Sequence, residues 1–180
     1  LNSHEHLKEC LDSVINQTEK DIEVLCVDNG STDDSIKIID EYIARDSRIL
    51  LMSCAKKGPG AARNYGMDNT SGEYIAFLDS DDFFEPEAIK TAYQSASSAG
   101  ADVCIFDARK YDNETHKVRP GGWLKNDIIQ NRTVISANDT EYILQCINPA
   151  PWNKLLKRDF VQKRDIRFAD LEWAEDVTMI

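Results

Sequence analysis

Positive charge is scarce in this chain, with 21 Lys and Arg against 32 Asp and Glu and a formal net charge of −11. That balance repels nucleic-acid backbones and anionic membrane surfaces, so neither is expected as the main partner. No apolar stretch approaches the length of a membrane span, and no signal peptide opens the chain, which predicts a soluble cytoplasmic protein. Five cysteines are scattered without C-x-x-C spacing. They read as small buried hydrophobes in a reduced compartment, not as zinc ligands or a disulfide framework. Internal repeats and low-complexity segments are also missing. What remains is 180 residues at 42% hydrophobic content, enough for one globular domain with a sizeable core.

The most informative stretch is 73–84. Tyr74 to Leu78 is a short unbroken apolar run after Ser71-Gly72, which predicts a strand buried on both faces in the middle of a parallel sheet. At its carboxyl end stand Asp79, Asp81 and Asp82, where α/β sheets bind ligands. If the extended conformation persists, Asp79 and Asp81 point to one side and Ser80 away. Two carboxylates so placed repel each other, and a divalent cation taking oxygen ligands, Mg²⁺, Mn²⁺ or Ca²⁺, relieves that. The competing reading is an Asx-turn or helix cap, with Asp82 ahead of Glu85-Pro86-Glu87. An EF-hand loop does not fit, because Phe83 and Phe84 occupy places for a ligand and the obligatory Gly.

Around this stretch the chain alternates helices and strands. Apolar spacing predicts a helix over 5–17, a strand over Ile22 to Val27, a helix from Ser35 to Ala44 and a strand over Ile49 to Ser53. His4 and His6 read as solvent-exposed residues. Asp28, in the turn Asp28-Asn29-Gly30-Ser31-Thr32-Asp33, could hydrogen-bond a ribose or base edge, or simply make an Asx-turn. The segment Gly58-Pro59-Gly60-Ala61-Ala62-Arg63 fails as a dinucleotide fingerprint, since Arg63 stands where a Gly is needed. It predicts a turn feeding a helix N-terminus, with Arg63 near a phosphate or base pocket or else merely solvated.

Beyond the acidic stretch, Pro86 predicts a helix N1 position and Gly100 the helix stop, with a strand over Val103 to Ala108. Residues 109–135 are polar and turn-rich and read as a long excursion or irregular hairpin. A helix from Ser136 or Asn138 to Cys146, an extended Trp152 to Leu156 and a short helix over Asp159 to Arg164 follow. Glu175 and Asp176 lie beside Trp173, where a desolvated carboxylate could accept a proton or an acidic pair could start a helix. This alternation specifies an α/β domain with a largely parallel sheet.

Taken together, Asn2 with Leu11-Asp12-Ser13-Val14-Ile15-Asn16-Gln17-Thr18, Val27-Asp28-Asn29-Gly30-Ser31-Thr32-Asp33, Gly60 to Gly66, Phe77-Leu78-Asp79-Ser80-Asp81-Asp82, Trp152-Asn153-Lys154-Leu155 and Glu175-Asp176 resemble the family 2 glycosyltransferases of the GT-A fold. The resemblance runs over essentially the whole length. It implies a Rossmann-like, mostly parallel central sheet flanked by helices, in one catalytic domain with a nucleotide-sugar half at 1–108 and an acceptor half at 109–180. By the same resemblance Asp28 contacts the base, Arg63 helps hold the nucleotide, and Asp79 and Asp81 form the D-x-D pair that meets the ribose and, through Mn²⁺ or Mg²⁺, the diphosphate. Asp176 is then the catalytic base, supported by Glu175, while Lys154 matches a recurrent position without an assigned role. The implied activity is inverting transfer of a sugar from a nucleotide-diphosphate donor, such as a UDP-sugar, to a hydroxyl of a glycan or lipid-linked acceptor. Its setting is cell-surface polysaccharide or glycan synthesis, at the inner face of the cell membrane if the protein associates peripherally. Two features depart from the family: its first strand has no counterpart before Asn2, and the sequence stops four residues after Asp176. A non-catalytic nucleotide-sugar binding module and a sugar nucleotidyltransferase are the rival readings. The second is expected to carry a Gly-rich basic loop at its first strand, which this sequence lacks.

Overall fold

A computed structural model describes residues 1–124, 133–136 and 149–169. The first half is a parallel pair with helices against it. Helix α1 (Leu7–Ile15) precedes β1 (Val24–Asp28), α2 (Ser35–Ile43), β2 (Ile49–Ser53) and α3 (Pro59–Asn69). Strands β1 and β2 run parallel in register from Val24↔Ile49 to Asp28↔Ser53. The apolar stripes of α1 and α2 meet over β2: Leu7, Leu11, Ile38, Ile39 and Tyr42 bury themselves around Ile49, which is fully buried. The Tyr42 hydroxyl keeps a partner there, 2.7 Å from the Asp12 carboxylate.

The second half is built on strand β7. It contains β3 (Tyr74–Ala76), α4 (Ala88–Ala99), β4 (Val103–Ile105), the hairpin β5 (Arg109–Asp112) and β6 (Lys117–Pro120), a 3₁₀ turn (Pro151–Asn153), β7 (Lys154–Lys157) and α5 (Arg158–Lys163). Strand β7 lies between β3 and β4 and is antiparallel to both, so β3 and β4 share one direction. Met67, Ile75, Leu156, Val161 and Phe168 form a core on one side of this sheet, and Ala92, Ala96 and Leu155 a second cluster. Residues 109–120 of the expected excursion form the hairpin β5–β6, with pairs from Arg109↔Pro120 to Asp112↔Lys117, and 125–132 lie outside the described residues.

Hydrogen bonds at both ends tie β1 to β3. Ahead of the two strands, the Glu23 carboxylate accepts the backbone N–H groups of Ser71 and Gly72 and the Thr70 hydroxyl. Beyond their carboxyl ends, the Ser3 hydroxyl lies 2.6 Å from that of Ser80, and Asn2 N–H donates to Ser31 Oγ. Strands held amino end to amino end and carboxyl end to carboxyl end run the same way, so among the described strands β1 to β4 share one direction and β7 runs against it. Among the described residues β1 pairs with β2 alone and β3 with β7 alone. Between them is a cavity of about 1090 Å³ whose lining includes Val24, Cys26, Ile75 and Phe77.

Several element predictions are corrected. The strand expected over Tyr74 to Leu78 stops at Ala76, and its ladder partner is antiparallel, because β7 returns from the far end of the chain to pair with it. Pro86 is not the N1 residue: Glu87 is the N-cap of α4, while the Pro86 carbonyl accepts the Thr18 N–H. Gly100 does end α4, in the left-handed conformation at φ 61°. Trp152 and Asn153, the start of the segment expected to be extended from Trp152 to Leu156, belong to the 3₁₀ turn, and Lys154 to Leu156 are extended in β7. The predicted helix over 136–146 falls almost wholly outside the described residues.

Candidate functional site

Three loops meet at the carboxyl ends of β1 and β3. The loop after β1 is fixed by its own side chains. Asp28 accepts the backbone N–H groups of Gly30 (3.0 Å) and Ser31 (3.0 Å), the Asx-turn anticipated for this position. Desolvation pushes its carboxyl pKa up, but hydrogen bonds from Ser31 and Gly30 outweigh this and leave it lowered. Asp28 is therefore an anion at neutral pH, aimed by its turn. Asn29, buried, crosses to the loop after β2: its amide donates to the carbonyls of Cys54 and Lys56, and its oxygen accepts the Gly58 N–H at 2.8 Å. Gly30 at φ 98° completes the turn, and the Lys57 ammonium occupies the space a Cβ there would need.

Helix α3 delivers Arg63, as predicted, on its first turns and in contact with the acidic stretch. The Arg63 Nη2 donates to Asp79 Oδ1 at 3.1 Å, and its guanidinium lies 5.4 Å from the centre of the Phe168 ring. The arginine is well shielded, with 14% of its side chain exposed, whereas Asp79 is 37% exposed. Arg63 therefore reads as a positioned cation and not a solvated one. Its neighbour Asn64 makes a reciprocal pair with Phe168, amide to carbonyl and N–H to amide oxygen, which fixes the backbone at Phe168.

Residues 79–82 form a turn and not a continuing strand. The Asp82 N–H donates to the Asp79 carbonyl at 3.0 Å, so the strand alternation expected to align Asp79 with Asp81 does not apply. The three carboxylates still act on one another: desolvation first, then the charges of Asp81 and Asp79, push the Asp82 carboxyl up. The turn is anchored from behind by Gln17, fully buried. Its amide donates to the Glu85 carbonyl at 2.7 Å, and its oxygen accepts the Ile89 N–H. Ser13 Oγ accepts the Phe84 N–H.

A divalent cation fits this donor set. Oxygen ligands only, already repelling one another, suit a hard ion that retains water and is shared with substrate phosphates. No group of three or more His, Cys, Asp or Glu side chains among the described residues forms a closed metal cage. Such an ion would rely on one or two of Asp79, Asp81 and Asp82.

Asp28, Arg63 and Asp79 line one cavity, Arg63 is hydrogen-bonded to Asp79, and Asp81 stands in the adjoining turn; Glu175 and Asp176 lie outside the described residues. Lys154, without an assigned role in the sequence, is buried, with its ammonium donating to the Ala150 carbonyl and to Asn153 Oδ1. Gln17, Asn29 and Asn64 escaped sequence reasoning as site-forming residues. A polar residue in a turn or helix gives no sign in sequence that its amide will be buried across two loops.

Comparison with known proteins gives this arrangement a context. The family model described as glycosyl transferase family 2 matches residues 1–164. "Glycosyltransferase GlyA" of Streptococcus pneumoniae serotype 4 is 42% identical over 104 residues, 58% of this chain and 15% of that protein. The "poly(ribitol-phosphate) beta-glucosyltransferase" of Bacillus spizizenii is 37% identical over 108 residues, 58% of this chain and 17% of that protein. The crystal structure of S. aureus TarS in complex with UDP superposes with a TM-score of 0.78 at 25% identity, covering 97% of this chain and 50% of that one. The same protein has been solved with UDP-GlcNAc. This chain therefore spans at most half the length of each of these three. Its α/β sheet is of the GT-A type, and the chain belongs to glycosyl transferase family 2.

Proposed function

We propose that this chain is a catalytic domain of an inverting, metal-dependent glycosyltransferase that moves a sugar from a UDP-sugar to an acceptor hydroxyl. The observation that carries the reading is that Asp28, at the carboxyl end of β1, and the hydrogen-bonded pair Arg63 and Asp79, just beyond β3, line one cavity. UDP and UDP-GlcNAc bound to TarS support the choice of donor, and Mn²⁺ with GDP-Man in a more distant structural relative, PcManGT of Pyrobaculum calidifontis, supports the choice of cofactor.

In this reading Asp28 accepts from the base, whose N–H groups need an anionic or carbonyl partner. Arg63 supplies fixed positive charge beside the diphosphate, through a planar fork that its contact with Phe168 keeps in place. Asp79 and Asp81 would hold Mn²⁺ or Mg²⁺, which when bound neutralises charge on the leaving diphosphate. Asp176 takes the proton from the acceptor hydroxyl as the hydroxyl oxygen attacks the anomeric carbon in line, with Glu175 assisting; the carbon–oxygen bond to the diphosphate breaks with inversion. Residues 1–108 serve the donor and 109–180 the acceptor. The biological setting is polysaccharide or glycan assembly on the cytoplasmic side of the membrane.

The test is Asp176→Asn in the full-length protein, assayed for sugar transfer and for UDP binding. Transfer should fall by about 10²-fold or more, with UDP affinity unchanged. Undiminished turnover would remove Asp176 from the role.

A further inference from the structure

We propose that the hairpin β5–β6 is a docking strip for a polyanionic acceptor glycan. The inference names the acceptor class for the transfer proposed above and rests on that reading. It begins with charge: residues 109–120 carry four Lys and Arg against two carboxylates, in a chain with 21 against 32. Register then sorts them. Side chains at directly paired positions share a face, so Lys110 with Arg119 and Asp112 with Lys117 lie on one face, and Arg109, Tyr111 and Val118 on the other.

The second face is already engaged. Tyr111 packs edge-on against Phe83 at 5.4 Å, and Arg109 pairs with Glu85, which fastens the hairpin to the segment just after the Asp79–Asp82 turn. The first face looks outward, and Lys110, Lys117 and Arg119 are all exposed. Asp112, held ionised by the Thr115 N–H at 2.8 Å, stands opposite Lys117 and offsets one of the three, so the face keeps an excess of positive charge. Lys110 also stands 5.4 Å over the Trp123 ring, a cation–π contact that holds its ammonium on this face.

Lysine on a hairpin edge has a bland use, to keep sheets from pairing edge to edge. That use needs one cation, not Lys110 directly opposite Arg119, since like charges across a ladder destabilise it. The net charge of −11 opposes an anionic polymer at long range, so holding one calls for local positive charge. A local basic strip fixed to the donor site lets a long acceptor bind away from the reacting hydroxyl and raises the effective concentration of its end.

The experiment compares the full-length protein with a Lys110→Gln, Lys117→Gln, Arg119→Gln triple variant. Immobilised poly(glycerol phosphate), alginate, neutral dextran and phosphatidylglycerol vesicles are the probes, and UDP affinity is measured alongside. The wild type should bind both anionic polymers in a salt-sensitive manner and dextran much more weakly. The triple variant should lose about tenfold in polymer affinity and keep its UDP affinity and melting temperature. Equal polymer binding by the variant, equal binding of dextran, or binding to vesicles alone would overturn the proposal. Failure of the wild type to bind UDP would count against the donor reading while leaving the polymer result to stand or fall by itself.

Discussion

Asp82 shows how the site's chemistry is written into single residues. Its carboxyl is pushed above the ordinary value by desolvation and by Asp81 and Asp79. An acid with a raised folded pKa binds its proton more tightly folded than unfolded, so its contribution to stability is best at low pH and falls as pH rises through the carboxylate range. Asp82→Asn should therefore raise the melting temperature at pH 7 in chelator, and the gain should vanish as the pH is lowered past that range. Calorimetric melts at several pH values check this. The clustering itself was legible from the sequence, since three aspartates within four residues at a strand end repel one another in any conformation. Their orientation was not. The turn closed by the Asp82 N–H on the Asp79 carbonyl replaces the alternation an extended strand would impose.

Elements were read well where a single periodicity governs them. Helices α1 and α2 carry continuous apolar stripes, and the β2 bounds agree with the sequence reading. Strand β3 was misjudged because an apolar run reports burial and not the direction of the neighbour that covers it. Its partner β7 lies some eighty residues away, and no local pattern encodes that pairing. Loops depend on the same kind of distant partner. Asn29 joins the loop after β1 to the loop before α3 through three hydrogen bonds. Asn29→Ala would leave the buried Cys54 carbonyl and the half-buried Gly58 N–H and Lys56 carbonyl short of a partner, at a cost of about 1–3 kcal/mol. Urea unfolding should show that loss as a lower midpoint with an unchanged slope. A midpoint equal to that of the wild type would mean that water takes over the amide's role.

For the molecule as a whole, two halves share one site. The parallel pair β1–β2 contributes Asp28, the β7-centred sheet carries the acidic turn, and α3 spans them with Arg63 on Asp79. The Glu23 carboxylate closes the opposite end by holding Ser71 and Gly72, and the 1090 Å³ cavity lies between the two strands. Most of that cavity's lining is apolar, and Asp28, Arg63 and Asp79 are the part of it on which the proposed nucleotide site rests. Sequence conveyed the family through short motifs in order, but it could not show how far apart β1 and β3 would stand. The central claim is that this site binds a nucleotide diphosphate through a metal ion. Calorimetric titration of UDP into the protein, first with Mn²⁺ and then with chelator, tests it directly. The account predicts saturable binding with Mn²⁺ that is lost or strongly weakened on chelation; no heat in either condition, or the same affinity in both, would contradict it.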